Sequence, residues 1–438
     1  MKRLLFRNYW IGSSLKYWLG RRLTKAGMLV IAGLFLTLGL AFDTEQSLAY
    51  QTFALLLCLT AVSFVAAIFF RGRFSVIRHL PRFGSVGVPF RYRIEIHNRG
   101  RKTQRGLTLL EELEDPRVTT QKYLLEISLT RKGKPLRLFG SQRRVKFATF
   151  EEAVVPPLPP NGEGIAETNI TPLRRGVLRF RRVVVARTDP FGLFRAFIRI
   201  PLSQTVAILP KRYPVSPMAL PGTLKYQHGG MAMASSVGES EEFVSVRDYR
   251  RGDPLRHIHW KSWAKAGRPI VKQFEDEFFV RHGLVLDTFG SAVEEDVFEE
   301  AVSVAASFAC TIQNQESLLD LMFAGTEAFS FTSGRGLGHT EQVLEILAGV
   351  QLSRAGQFET LQQLVMEHAG LLSGCICVFL DWDSRRKQLV EHLRVLGIPV
   401  LVLVIVKTGN ASKLGEPQND GSFMVLETDK IREGLQKL

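Results

Sequence analysis

Two aspartates stand where a sheet would bring carboxylates together. Gly283-Leu284-Val285-Leu286 is a short apolar run ending in Asp287, and Cys375 to Leu380 is a second, ending in Asp381. In open α/β sheets ligands bind at the carboxyl ends of the strands, so these two residues are the leading candidates for a shared polar site. Either could instead cap a helix or serve as a loop carboxylate. His257 and His259 would face one way on a strand, as a metal pair needs. No third His or Cys ligand stands nearby at a useful spacing, and a structural or surface role fits better. Ser262 lies near His259, which means nothing catalytic without geometry. The four cysteines (Cys58, Cys310, Cys375 and Cys377) show no disulfide or zinc spacing. They read as reduced core residues in a cytosolic setting.

The elements that would position Asp287 and Asp381 form a βα alternation over residues 280–438. Val293 to Gln313 reads as a helix with acids at its start, where the dipole favours them. Leu318–Phe323 and Ala328–Phe331 flank Gly325-Thr326 as a hairpin, and helical patterns follow near 340–349 and 357–371. Ser384 is expected to cap a helix running to about Leu396, with Gly397 ending it. Val400 to Val406 reads as a strand buried on both faces. The alternation implies a mostly parallel sheet with one hairpin.

Upstream, residues 83–205 change to a period of two. Tyr92, Ile94 and Ile96 share one face of a strand, and Arg93, Glu95 and His97 the other. Leu178 and Phe180 alternate with Arg179 and Arg181, and Asp189-Pro190-Phe191-Gly192 has the residues a type I turn favours. A small antiparallel β-sandwich is expected. The basic cluster of Arg174, Arg175, Arg179, Arg181 and Arg182 lacks interleaved aromatic residues, so a solvated strand face near an anionic membrane fits it better than a nucleic-acid surface. Residues 206–279 are expected to connect the two domains.

The N-terminus carries the membrane signal. Residues 26–42 and 48–70 are uncharged and apolar, and the short acidic loop between them requires an antiparallel transmembrane hairpin. Residues 1–25 hold seven Lys and Arg and residues 71–82 four Arg, with no acid in either. The positive-inside rule then places both flanks, and everything after the hairpin, in the cytoplasm of an inner (plasma) membrane protein. Anionic lipid head groups are the expected partners of these flanks. The flanks also explain much of the net charge of +15, so nucleic acid is not expected as a partner. With 45% hydrophobic and 23% charged residues the chain is neither disordered nor uniformly membrane-buried. A cleaved signal peptide is the competing reading, weakened by the long basic region and the second apolar run.

Residues 241–268 are unusually dense, mixing Arg and Asp with aromatic residues. Arg247, Asp248, Tyr249, Gly252, Asp253, Arg256, Ile258, Trp260, Ser262, Ala264 and Lys265 resemble the signature of the domain of unknown function 58 family. Asp248 stands where that family usually has Glu, and Trp263 where it has a small residue. Arg175-Gly176, the Asp189–Phe194 run and the paired apolar segments also fit the family pattern. The resemblance implies a C-terminal domain like the von Willebrand factor A type, a fold that usually binds partners. Such domains often hold Mg²⁺ through an Asp-x-Ser-x-Ser motif, a Thr and a later Asp. Those slots are occupied here by Asp287, Phe289 and Ser291, with Asp381 as the later Asp and no Thr placed. Phe289 has no oxygen to offer, and Mg²⁺ demands near-octahedral oxygen ligation. A metal set of Asp287, Ser291 and Asp381 is therefore degenerate, and no cofactor is expected. The resemblance further implies association with MoxR-type AAA+ ATPases.

The expected function is thus a membrane-anchored interaction or assembly module, acting with such an ATPase and not itself an enzyme. Arg247, Tyr249, Gly252, Asp253, Arg256 and Trp260 are its candidate partner-binding residues. The alternative is a metal-dependent enzyme using Asp287 and Asp381.

Overall fold

The structure, a computed structural model, describes residues 20–40, 47–114, 147–215, 243–251, 253, 255–274, 280–290, 293–313, 317–325, 327–334, 340–353, 357–410 and 422–437. Gly252, Ser291, the acidic loop and the side chain of Arg256 lie outside them. The chain divides into two compact units, Met1–Leu209 and Pro210–Leu438.

The first unit opens with helices α1 (Lys25–Leu40) and α2 (Ser47–Ile68), which lie against each other. Their apolar side chains point outward, with Leu29, Leu48 and Leu55 between 69% and 77% exposed. A water-facing surface of this kind is unusual for a soluble helix. Leu48–Ile68 is long and apolar enough to cross a membrane, at ~1.5 Å per residue against a hydrocarbon core of ~30 Å. α1 is shorter, with 16 residues. Of the two expected spans, one meets the length criterion. Thr24 directly precedes α1, and its Oγ1 accepts the Gly27 N–H at 2.9 Å, the arrangement of an N-cap.

The rest of this unit is two sheets facing one core. One has the order β1 (Phe74–His79), β3 (Phe90–Asn98), β7 (Glu163–Pro172), β5 (Ala148–Phe150). The other has the order β2 (Phe83–Ser85), β9 (Arg195–Leu209), β8 (Gly176–Thr188), β4 (Leu107–Leu113), β6 (Ala153–Val154). Ile94, Ile96 and Ile170 from the first meet Leu109, Phe180, Val183, Val185 and Ile208 from the second. A bulge between Phe180 and Arg182 resets the phase of β8. That extra residue lets Phe180 and Val183, three apart, face the same core.

The structure corrects three expectations here. The sandwich begins at Phe74, not at 83, and residues 206–209 complete β9. The β2–β9 pair is parallel. Arg78 is not a headgroup-facing residue. It is 2% exposed, pairs with Glu111 through two hydrogen bonds of 2.9 and 2.7 Å, and lies 4.7 Å from the Phe180 ring centroid. Tyr92 donates to the same carboxylate at 3.0 Å. Burial pushes the Glu111 carboxyl up, against the opposing pull of Arg78.

The second unit contains a small hairpin, β10 (Phe243–Asp248) with β11 (Ile270–Phe274), and the short helix α3 (Trp260–Ala266) between them. A six-stranded sheet follows. Its strands in chain order are β12 (Arg281–Leu286), β13 (Leu318–Ala324), β14 (Ala328–Ser333), β15 (Gly374–Phe379), β16 (Val400–Val406) and β17 (Phe423–Glu427). In space they run β14-β13-β12-β15-β16-β17, with β14 antiparallel and the rest parallel. Helices α4 (Glu295–Gln313), α5 (Thr340–Gly349), α6 (Phe358–His368), α7 (Ser384–Val395) and α8 (Ile431–Leu435) accompany it. Val400, Val402, Val404 and Val406 join the core of α6 and α7. Leu401, Leu403 and Ile405 point the other way and are also buried, which is why the strand is apolar throughout. The cap of α7 is Asp383, whose carboxylate accepts the Arg386 N–H; Ser384 is the first helical residue. Gly397 ends the helix at φ +73°.

Candidate functional site

Strand order reverses between β12 and β15, the first and fourth strands of the sheet. A crevice at the carboxyl ends of such a pair is the usual ligand position in open α/β sheets. Asp287 directly follows β12, and Leu380-Asp381 follows β15. The two predicted strand ends are therefore neighbours, and the Leu380 N–H donates to Asp287 Oδ2 at 3.1 Å.

Asp287 is fully buried and its carboxylate is fully engaged. Oδ1 accepts the Phe289 N–H at 2.9 Å. Oδ2 accepts Arg386 Nε at 2.7 Å and lies 2.7 Å from Arg386 Nη2. The same guanidinium donates to the Phe289 carbonyl at 3.0 Å and to Asp383 Oδ2 at 2.8 Å, and it lies over the Phe358 ring at 4.8 Å. Burial pushes the Asp287 carboxyl up, opposed by Arg386 and the two backbone N–H groups. Burial also works against the charge on Arg386, but Asp287 and Asp383 outweigh it and hold the guanidinium above its ordinary value. Burial raises Asp383 less than Arg386 lowers it, so this carboxyl lies below the usual range.

This arrangement does not fit a Mg²⁺ cage. The Phe289 side chain is buried and carries no oxygen. The Thr288 hydroxyl is turned to the Ala324 carbonyl. Asp381 is exposed, with Oδ1 accepting the Trp382 N–H at 2.8 Å. Ser291 is outside the described residues. Among the described residues no group of three or more His, Cys, Asp and Glu side chains is placed to hold a metal. The positive charge beside Asp287 is supplied by the chain itself. Arg386 and Asp383 were not singled out by sequence; the signal was there in Asp383-Ser384-Arg385-Arg386, where the acid caps a helix that starts beside Asp381.

The signature residues form a second candidate site. Arg247 grips Asp253 with two hydrogen bonds of 2.8 Å, and the Arg250 N–H donates to Asp253 Oδ2 at 2.8 Å. These donors hold the Asp253 carboxyl down at about 2. Arg268 pairs with Asp248 at 3.2 Å. Ile258 and Val271 are buried against each other as a bridged pair. Around this frame apolar side chains are exposed among basic ones such as Arg251, Lys261 and Lys265. Val246, Leu255 and Trp260 are 40%, 69% and 65% exposed, and no residue of α3 is buried. Trp260 stacks on Trp263 with centroids 5.2 Å apart and planes at 17°.

His257 and His259 do not lie on a strand. His257 closes a short 3₁₀ turn and His259 precedes α3. His259 Nδ1 lies 2.6 Å from Ser262 Oγ, a contact across the first turn of one helix. Tyr249, expected as a partner-binding residue, is held through its backbone, with its N–H donating to the Pro269 carbonyl at 3.0 Å.

The chain thus joins an apolar helical segment, a two-sheet domain and an α/β unit preceded by an exposed, ion-paired hairpin. Residues 245–408 match the family described as "Protein of unknown function DUF58". The uncharacterized protein YeaD of Bacillus subtilis is 28% identical over 176 residues, which is 40% of this chain and 42% of that protein. The chain matches less than half the length of this relative. Both findings support the DUF58 family. Among solved structures, the CARDB domain of PF1109 from Pyrococcus furiosus is 11% identical, with 31% of this chain and 93% of that one covered and a TM-score of 0.16. Proximal thread matrix protein 1 from the mussel byssus is 12% identical, with 36% and 46% covered and a TM-score of 0.25. At these scores neither likeness carries an argument.

Proposed function

We propose that this protein is a membrane-anchored docking module whose hairpin, residues 243–274, engages a cytosolic protein partner. The observation that supports this reading is the Trp260–Trp263 stack. Among the described residues no side chain of α3 is fully buried, and Trp and Arg are the residues that dominate protein interfaces. The Arg247–Asp253 clamp fixes the loop in advance, which lowers the ordering cost of association.

The anchor in this reading is α1 with α2, both flanks and the soluble parts lying on the cytoplasmic side of an inner membrane. It is supported by the length of α2, the outward apolar side chains of both helices and the basic flanks. The α/β unit is read as von Willebrand factor A-like, supported by its single antiparallel edge strand and by the buried Asp287 at the switch point. The partner proposed is a MoxR-type AAA+ ATPase, on the resemblance of the signature. The test is site-specific crosslinking from position 260 in native membranes. Recovery of the ATPase supports the proposal; efficient crosslinking to lipid alone would sink it.

A further inference from the structure

The loop between β8 and β9 sits against the ends of both apolar helices. Leu23 pairs with Phe194 in an isolated antiparallel bridge. Thr24 donates its N–H to the Leu193 carbonyl at 3.1 Å and its hydroxyl to the Gly192 carbonyl at 2.5 Å. Gly27 approaches the Leu193 carbonyl so closely that a Cβ there would overlap it. From α2, Phe64 meets Phe194 edge to face at 5.9 Å. Phe64 lies four residues before Ile68, the end of the apolar stretch, or ~6 Å inside it at ~1.5 Å per residue.

We infer that the Asp189–Phe194 turn is itself a membrane-contacting element, with Phe191 entering the lipid interface beside α1 and α2. The inference rests on reading α2 as a membrane span. Phe191 is 52% exposed, while Leu193 is 4% exposed. Irregular backbone is tolerated near hydrocarbon only when its polar groups are satisfied, and much of this turn's backbone is. The Asp189 carboxylate accepts the N–H groups of Phe191 and Phe194 at 3.0 and 2.7 Å. The Gly192 N–H donates to the Asp189 carbonyl at 3.0 Å, Pro190 has no N–H, and Thr24 takes the carbonyls of Gly192 and Leu193. Basic side chains flank the turn, with Arg187 over the Phe70 ring at 5.6 Å and Arg22 over Phe197 at 5.9 Å. An apolar tip ringed by cations suits an anionic headgroup layer.

Benzoylphenylalanine replaces Phe191, Leu55 or Val177 in the full chain, reconstituted in phosphatidylethanolamine–phosphatidylglycerol vesicles, and lipid adducts are measured after irradiation. Leu55 is an exposed residue of α2, and Val177 is exposed at the far end of β8, ~36 Å along the strand from Thr188 at ~3.3 Å per residue. Adducts at 55 and 191 but not at 177 are expected. Adducts at 55 without any at 191 overturn the inference and leave the span intact. No adducts at 55 overturn the span, and the inference with it. Equal adducts at 177 and 191 also overturn it, since the turn would then have no special access to lipid.

Discussion

Arg386 lays Nε and Nη2 on a single oxygen of Asp287, Oδ2, each at 2.7 Å. Neither residue has appreciable contact with water, at 5% and 0% exposure. Breaking a buried pair from one side leaves the other charge uncompensated, which costs about 3–5 kcal/mol. Arg386→Met is therefore expected to destabilise the α/β unit by that order in a denaturant titration of the solubilised chain. The double variant Asp287→Leu with Arg386→Met should lose less than the sum of the singles.

The same pairing bears on metal. Calorimetric titration of the full chain with millimolar Mg²⁺ is expected to give no heat that Asp287→Ala removes. A saturable heat that disappears in that variant would return the site to the metal reading.

At the hairpin, the Asp253 carboxyl titrates at about 2 when folded and near 3.9 when unfolded. A depressed folded value means that its stabilisation is complete above about pH 4 and is lost as pH falls toward 2. The tryptophan emission of wild type and Asp253→Asn should differ at neutral pH, and the difference should close across that window.

Trp260→Ala removes a ring that is 65% exposed and stacks on Trp263 of its own helix. Stability should change by less than about 0.5 kcal/mol, as at ordinary surface sites. Partner binding should fall by about 30-fold or more, the loss of an interface hot spot of ~2 kcal/mol. Equal affinity of the two proteins for the proposed ATPase partner, once purified, would remove the hairpin from the interface.

Gly27→Ala would drive a methyl group into the Leu193 carbonyl, a backbone atom with no rotamer to yield. A loss of about 1–3 kcal/mol is expected, measured as thermal stability in detergent. Gly39 has open space around its Cβ direction, so Gly39→Ala is the control and should leave stability unchanged.

The elements most legible in the sequence are those that depend on their own residues. Leu284–Leu286, Cys375–Phe379 and Val400–Val406 read as strands because parallel strands covered on both faces are apolar at every position. β1 is not legible, because Arg78 near its end looks like a surface residue until Glu111, 33 positions away, is folded against it. Asp287 and Asp381 were legible as strand ends. What neutralises Asp287 was not, since Arg386 is 99 residues distant in sequence. The signature hairpin was visible as a motif, yet the exposure of Trp260 depends on what fails to cover it, and composition does not encode that.

The joint at Thr24, Gly27 and Leu193 has a mechanical side. A domain hung on a loose linker swivels, and a pull on it is absorbed by the linker. Here the β8–β9 turn is clamped to the start of α1 and braced by Phe64 of α2, while Arg21 also donates to the Glu111 carbonyl at 2.9 Å. The two-sheet domain is thus a lever fixed to its shaft. A pull on its sheets is then expected to reach α1 and α2 through these contacts rather than be lost in the chain that joins them.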